Sequence, residues 1–183
     1  MIEPATGVLL VSDPFLKDPN FMRTVVLLCE HKEEGSFGLV LNRAFELSLD
    51  QLMNQSYNWK TPVYIGGPVQ MDTLHFLHQL PDIIPGGIEI CKGVFWGGDF
   101  ETVTTLLNNN LLDFNKIRFY IGYSGWSAGQ LTDEMKEKSW LTVPANRNLI
   151  FTKKVENIWK DAVKSMGKKY EQVIHYPIDP QLN

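Results

Sequence analysis

The chain has 183 residues, 44% of them hydrophobic and 21% charged, with a formal net charge of −4. That length suits one domain, residues 1–183, large enough to bury its own core. The acidic balance disfavours direct nucleic-acid binding, and no apolar run approaches the roughly 20 residues that span a bilayer. The start lacks the charged-then-apolar pattern of a signal peptide, so a cytoplasmic protein without membrane contact is expected. Cys29 and Cys91 both lie in apolar runs, as buried thiols do, and make no disulfide framework.

Residues 7–12 read as a strand, broken by Asp13-Pro14. Asp18 suits the cap of a short turn with Pro19 at its first position, where a missing N–H costs nothing. Residues 24–30 (TVVLLCE) are continuously aliphatic rather than alternating, as expected of a strand buried on both faces. A turn at 32–35 leads to a third strand at 38–42, and the second and third strands are expected to pair as a hairpin. Ser48 and Gln51 form a capping box that opens a helix at 49–55. Strands follow at 63–65, 74–80 and 88–90, separated by Gly66-Gly67-Pro68, Pro81 and Pro85-Gly86-Gly87.

Val94-Phe95-Trp96 is apolar; Gly97-Gly98 then turns the chain, and Asp99 caps a helix to about residue 108. Residues 116–123 alternate enough for a strand, Ser127 and Gln130 open a helix near 128–138, and 140–143 form a short strand. The last helix carries Val155, Ile158, Trp159, Ala162, Val163 and Met166 at helical spacing, with Gly167 as its stop. Strands that come in groups as well as alternating with helices predict a mixed sheet surrounded by helices, an α+β architecture rather than a regular doubly wound one.

Complete catalytic and cofactor motifs are missing. Gly122-Tyr123-Ser124-Gly125-Trp126 has the position of a nucleophile elbow between strand and helix, but Trp126 stands where the elbow needs glycine, which favours a simple strand-to-helix turn. Cys29 with His31, and His75 with His78, are too few for a metal site, and no zinc-finger or H-E-x-x-H spacing occurs. Gly97-Gly98-Asp99 precedes a helix, yet Asp99 at the cap would repel a phosphate. No metal or other cofactor is therefore expected.

Two groups remain. Asp18, Arg23, Glu30, His31, Asn42 and Arg43 fall at strand ends and turns of the first 43 residues. A carboxylate beside an imidazole, with arginines to clamp an anion, could make a ligand or acid–base site; the same residues could instead form a buried ion-pair and capping network. Lys153, Lys160, Lys164 and Lys168 lie opposite the apolar stripe of the last helix, as a solvated face or a contact for nucleic acid or a partner.

The opening block also carries a resemblance. Gly7-Val8-Leu9-Leu10-Val11, Pro14, Leu16, Asp18-Pro19, Phe21, Arg23, Val25-Val26-Leu27, Glu30-His31 and Gly38-Leu39-Val40-Leu41-Asn42-Arg43 resemble the signature of the YqgE/AlgH family. Gly66-Gly67-Pro68-Val69, Gly122-Tyr123, Gly125-Trp126, Gly129-Gln130-Leu131, Trp140, Trp159, Gly167 and Tyr176-Pro177 extend it over nearly the whole chain. Ser124 stands where the family has alanine, and Thr132 where an acidic residue follows Gly-Gln-Leu, with Asp133 and Glu134 next. The resemblance implies a forked, partly barrel-like mixed sheet surrounded by helices in a bacterial cytoplasmic protein. It carries the label of transcriptional regulator, from a member linked to control of alginate synthesis, and no catalytic residues. A non-enzymatic regulatory or binding protein, acting through a protein partner or a small ligand, is the expectation. The alternative is an enzyme or ligand-binding protein using the polar cluster of the first three strands.

Overall fold

In the computed structural model, which describes residues 2–53 and 59–176, the opening apolar runs become three neighbouring antiparallel strands. They are β1 (Val8–Ser12), β2 (Val25–Lys32) and β3 (Gly35–Val40). All of β1 and the first five residues of β2 are buried. Continuous aliphatic strands of this kind need cover on both faces. On one face Leu9, Val11, Val25, Leu27 and Leu39 share a core with Ile158, Trp159, Ala162 and Val163. On the other, Leu10, Val26, Leu28 and Val40 pack with Trp126, Leu131 and Trp140.

The chain continues through β4 (Ala44–Ser48), α1 (Leu49–Leu52), β5 (Pro62–Ile65), β6 (Val69–His78), β7 (Ile88–Cys91) and β8 (Val94–Trp96). It ends with α2 (Phe100–Asn108), β9 (Ile117–Ser127), α3 (Gln130–Lys136), β10 (Trp140–Pro144), α4 (Arg147–Ile150), α5 (Ile158–Ser165) and α6 (Lys168–Glu171). The strands run in the order β10-β1-β2-β3-β9-β6-β8-β7, with β5 on β9 and β4 on β5. The sheet curls into a half-barrel with helices around it, the α+β class expected. A third core, with Leu49, Val63, Phe76, Val103, Leu107 and Phe119, joins α1 and α2 to β5, β6 and β9.

The fork arises at β9. Its first half pairs in parallel with β5, Val63 opposite Phe119 and Ile65 opposite Ile121. On the same flank its last residues pair with β3, Gly38 opposite Ser124 and Gly35 opposite Ser127. The crossover needs backbones to touch. Gly122 has φ +61°, the left-handed region that glycine enters at little cost. A Cβ on Gly67 would come closer than 3.0 Å to the backbone of Tyr123. The carbonyl of Gly66 sits in the crotch, accepting from the Val40 N–H at 2.8 Å and the Ser124 hydroxyl at 3.0 Å.

Three expectations change. Ser124-Gly125-Trp126 is strand, not a strand-to-helix turn, because β3 lies alongside to pair with it. Strand β4, absent from the sequence reading, forms on a single partner, β5. The four lysines do not share one helix: residues 155–157 make a 3₁₀ turn after Lys153, and although Gly167, at φ +98°, ends α5 as expected, Lys168 opens a separate helix, α6. The capping box of Ser48 and Gln51 is present, as is the Asp99 cap of α2. Positions 54 and 55 of the helix expected at 49–55 lie outside the described residues.

Candidate ligand-binding site

The polar residues of the opening block do not meet as one cluster. Eight strand steps of about 3.3 Å separate position 23 from position 31, roughly 26 Å. Asp18, Arg23, Asn42 and Arg43 gather at one end of the β2–β3 hairpin, and Glu30 and His31 lie near its turn.

At the first end the side chains bond to backbone. Asn42 accepts from the Val25 N–H with Oδ1 and donates to the Arg23 carbonyl with Nδ2, each at 2.9 Å. Arg43 donates to the Met22 carbonyl at 2.6 Å. Asp18 accepts the Asn20 N–H at 2.8 Å, closing the expected turn. Arg23, itself at φ +52°, donates to the Tyr176 carbonyl and lays its guanidinium 4.8 Å from the Trp159 ring centre. Burial lowers its pKa. These contacts tie the turn, the hairpin and the C-terminal helices together.

At the other end Glu30 pairs with Lys32 at 2.7 Å on the exposed surface. His31 points differently: its Nδ1 lies 2.7 Å from the Ser36 hydroxyl, in a cleft of about 420 Å³ that Ser127 and Thr132 also line. A serine hydroxyl against an imidazole is the contact of a nucleophile–base pair, and Ser36 was not singled out from the sequence. Among the described residues no carboxylate is hydrogen-bonded to that imidazole to orient it.

The most distinctive surface comes from residues scattered through the sequence. Phe37 on β3, Tyr123 on β9, His75 on β6 and Trp96 on β8 stand on successive strands, all half-buried. The Phe37 ring centre lies 4.8 Å from Trp96, 4.9 Å from Tyr123 and 5.4 Å from His75, and His75 lies 5.9 Å from Tyr123. Gly125, opposite Phe37 in the register, adds no side chain, so the Tyr123 ring lies over it. This ridge of rings separates two clefts. One, about 450 Å³, is lined by Glu30, Lys32, Phe37, Val69, Tyr123 and Trp126; the other, about 390 Å³, by Leu74, His75, Phe76, Trp96, Gly97 and Phe100.

Hydrogen bonds set the chemistry of the ridge histidine. The Thr73 hydroxyl donates to the Gln70 carbonyl at 2.7 Å, so at 3.2 Å it can only accept from His75 Nε2. That tautomer assignment leaves Nδ1 as an acceptor. Burial holds the His75 pKa below its ordinary value, favouring the neutral ring. His78 is buried on the other side of β6. Its Nε2 donates to the Gly97 carbonyl at 2.9 Å, and its Nδ1 accepts from the Leu80 N–H at 3.1 Å. Burial, partly opposed by the Gly97 carbonyl, lowers its pKa too.

One further tie joins α3 to the core of Trp126 and Trp140. Glu134 Oε2 accepts both indole N–H groups of Trp126 and Trp140, at 2.8 and 2.7 Å, while Oε1 accepts Gln130 Nε2 at 3.0 Å. Gln130 in turn accepts the Ser127 N–H at 3.0 Å. The sequence signal was there: Glu134 lies one helical turn after Gln130, close to the Thr132 position where the family has an acid.

The other candidates separate. Ser124 is buried with its hydroxyl given to Gly66. His75 and His78 point to opposite sides of β6, and among the described residues no three His, Cys, Asp or Glu side chains converge. Asp99 bonds to the Thr102 N–H at 3.0 Å, occupying the α2 N-terminus. Lys160 and Lys164 lie on α5, whereas Lys153 precedes its 3₁₀ lead-in and Lys168 follows Gly167 on α6. Lys164 is 3.9 Å from Asp161.

The architecture is that of a small α+β half-barrel domain with clefts of ligand size on either side of an aromatic ridge. The chain belongs to the AlgH-like family, DUF179, whose profile matches residues 9–171. A UPF0301 protein of Chlorobium limicola is 46% identical over 97% of this chain and 95% of its own length. A UPF0301 protein of Cytophaga hutchinsonii is 39% identical over 97% and 98%. The solution structure of AlgH from Pseudomonas aeruginosa, a UPF0301 protein, superposes with a TM-score of 0.76 at 27% identity, covering 97% of this chain and 98% of that one. A Corynebacterium diphtheriae crystal structure matches in fold at TM-score 0.76 and 19% identity, over 96% and 94%. No helix among the described residues is long and apolar enough to cross a membrane.

Proposed function

We propose that this protein is a non-enzymatic binding protein that takes a small, flat, largely apolar ligand across the aromatic ridge. We further infer that it works in regulation through that ligand, in the cytoplasm, and not by reading DNA itself. The observation that carries this reading is the set of four half-buried rings, Phe37, His75, Trp96 and Tyr123, lying between two clefts. Ligand sites favour concave, aromatic-lined places at the mouths of barrels, with a few fixed polar groups. Here the Nδ1 acceptor of His75 would orient a ligand N–H or O–H. Dispersal of the lysines over three segments, with a net charge of −4, weighs against a DNA-binding face.

A thermal-shift screen of metabolites and nucleotides tests the reading, run in parallel on the wild type and Phe37→Ala. Ligands of the ridge raise the melting temperature of the wild type and lose that effect in the variant. Compounds that stabilise both proteins equally would contradict the assignment.

A further inference from the structure

Away from the ridge, a smaller cavity of about 170 Å³ opens between β5, the start of β9 and the segment after α4. Tyr64, Phe114 and Phe151 give it aromatic walls. Two cations, Arg118 and Lys153, line it, and no carboxylate does. Arg118 is held in place. It donates through Nη2 to the Thr152 carbonyl, and its guanidinium carbon lies 5.6 Å from the Tyr64 ring centre and 5.8 Å from that of Phe151.

That positive charge lacks a counter-charge. Among the described residues no carboxylate is within ion-pair distance of Arg118. Its Nη1 is buried with no group inside normal hydrogen-bond distance, and the buried Tyr120 hydroxyl is the polar group that interacts with the guanidinium. Buried donors are almost always satisfied, so an under-satisfied cation lining a cavity with no carboxylate calls for an explanation. Exposed Asp113 is an acid near Lys153, but it does not line the cavity. Its Oδ1 accepts Asn115 N and Nδ2 at 2.9 and 3.0 Å. These bonds, with Lys116 and Lys153 nearby, hold its carboxyl below the usual range.

We propose that this cavity is a second binding site, for a small oxyanion carried on a flat apolar group: a carboxylate or a phosphate monoester. Lys153 at the exposed rim meets the oxyanion, Arg118 supplies a fixed positive field from below, and the three rings receive the flat portion. At about 170 Å³ the cavity is well below the roughly 300–1,000 Å³ of drug-sized ligand sites, which limits its occupant to a single ring with its anionic group. The site is separate from the ridge: both draw on β9, but the cavity and the two ridge clefts share no lining residue.

The test is a titration of the whole ¹⁵N-labelled protein with phenyl phosphate, benzoate and inorganic phosphate at constant ionic strength. Phenyl phosphate or benzoate should shift amides at 61, 63–64, 115–118 and 151–155, with a Kd of about 1 mM or tighter and below that of inorganic phosphate. Response to phenyl phosphate alone makes the ligand a phosphate ester; response to benzoate alone makes it a carboxylate. Lys153→Gln, a change at an exposed position, should weaken binding about fivefold, the loss expected of one charge contact of about 1 kcal/mol. Lys160→Gln on α5 should not. Arg118→Gln should abolish binding if it folds, but Lys153→Gln carries the test without it. The proposal is overturned if none of the probes shifts those amides at about 20 mM. It is equally overturned if Lys153→Gln binds like the wild type, or if the shifts centre on α5.

Discussion

Replacing Glu134 by alanine should cost this protein about 2–4 kcal/mol. The Trp126 and Trp140 indoles are only 5% and 1% exposed, and both donate to the same carboxylate oxygen. Hydrogen bonds to a charged group contribute about 1.5–3 kcal/mol each. Sharing one oxygen, and the half exposure of Glu134 that lets water substitute, put the pair at the lower end. For a chain of this size each kcal/mol moves the melting temperature by about 2–4 °C, so Glu134→Ala should melt about 4–16 °C lower. Glu134→Gln keeps an acceptor but not the charge, and charge-assisted bonds are about twice as strong as neutral ones, so it should cost about half as much. Urea denaturation followed by far-UV dichroism measures both, with exposed Glu137→Ala as a control expected within about 0.5 kcal/mol of wild type. The indole N–H proton resonances should move upfield as the carboxylate is lost. If Glu134→Ala unfolds at the same urea concentration as the control, the carboxylate is not what holds these indoles.

Three further outcomes follow from the geometry. Gly67→Ala should destabilise by more than about 3 kcal/mol or abolish folding, because the new Cβ would meet backbone that cannot swing away; near-native stability in urea would contradict the close approach at the fork. Asn42→Ala should cost about 1–3 kcal/mol by leaving the fully buried Val25 N–H without its acceptor, read by the same denaturation. The third concerns pH. His75 and His78 both have folded-state pKa values below the 6.5 of the free side chain, so the unfolded chain takes up protons first. Their stabilising effect is complete above about pH 6.5 and is lost as pH falls through the folded-state values, by up to about 1.4 kcal/mol per pH unit for each ring. Either His75→Gln or His78→Gln should flatten that slope, and an unchanged slope in both would refute it.

Local patterns explain what was legible in advance. The aliphatic run at 24–30 announced a strand covered on both faces, the Asp99 cap placed α2, and the spacing of Ile158, Trp159, Ala162 and Val163 marked the buried face of α5. Residues whose structure depends on a distant partner were misread. Gly122 and Gly125 look like turn formers in isolation, but β3 supplies a ladder for Ser124-Gly125-Trp126, and small residues at Gly35 and Gly38 let the strands approach. The polar residues of the opening block illustrate a different error. An antiparallel hairpin places the end of β3 beside the start of β2, so Asn42 must join Arg23 while His31 stays by the turn. Strand connectivity alone separates them. The aromatic ridge could not be assembled from spacing. Phe37, His75, Trp96 and Tyr123 meet because β3, β9, β6 and β8 are neighbours in the sheet, an order that no local signal encodes.

The central claim is that this ridge is an open ligand surface, and Trp96 reports on it directly. Of the five tryptophans, the other four are at most 5% exposed, so acrylamide should quench one accessible class of emission that Trp96→Phe removes. A ligand found by thermal shift should shield that class in the wild type. An accessible fraction that survives in Trp96→Phe, or one that stays fully quenchable with ligand bound, would contradict the account.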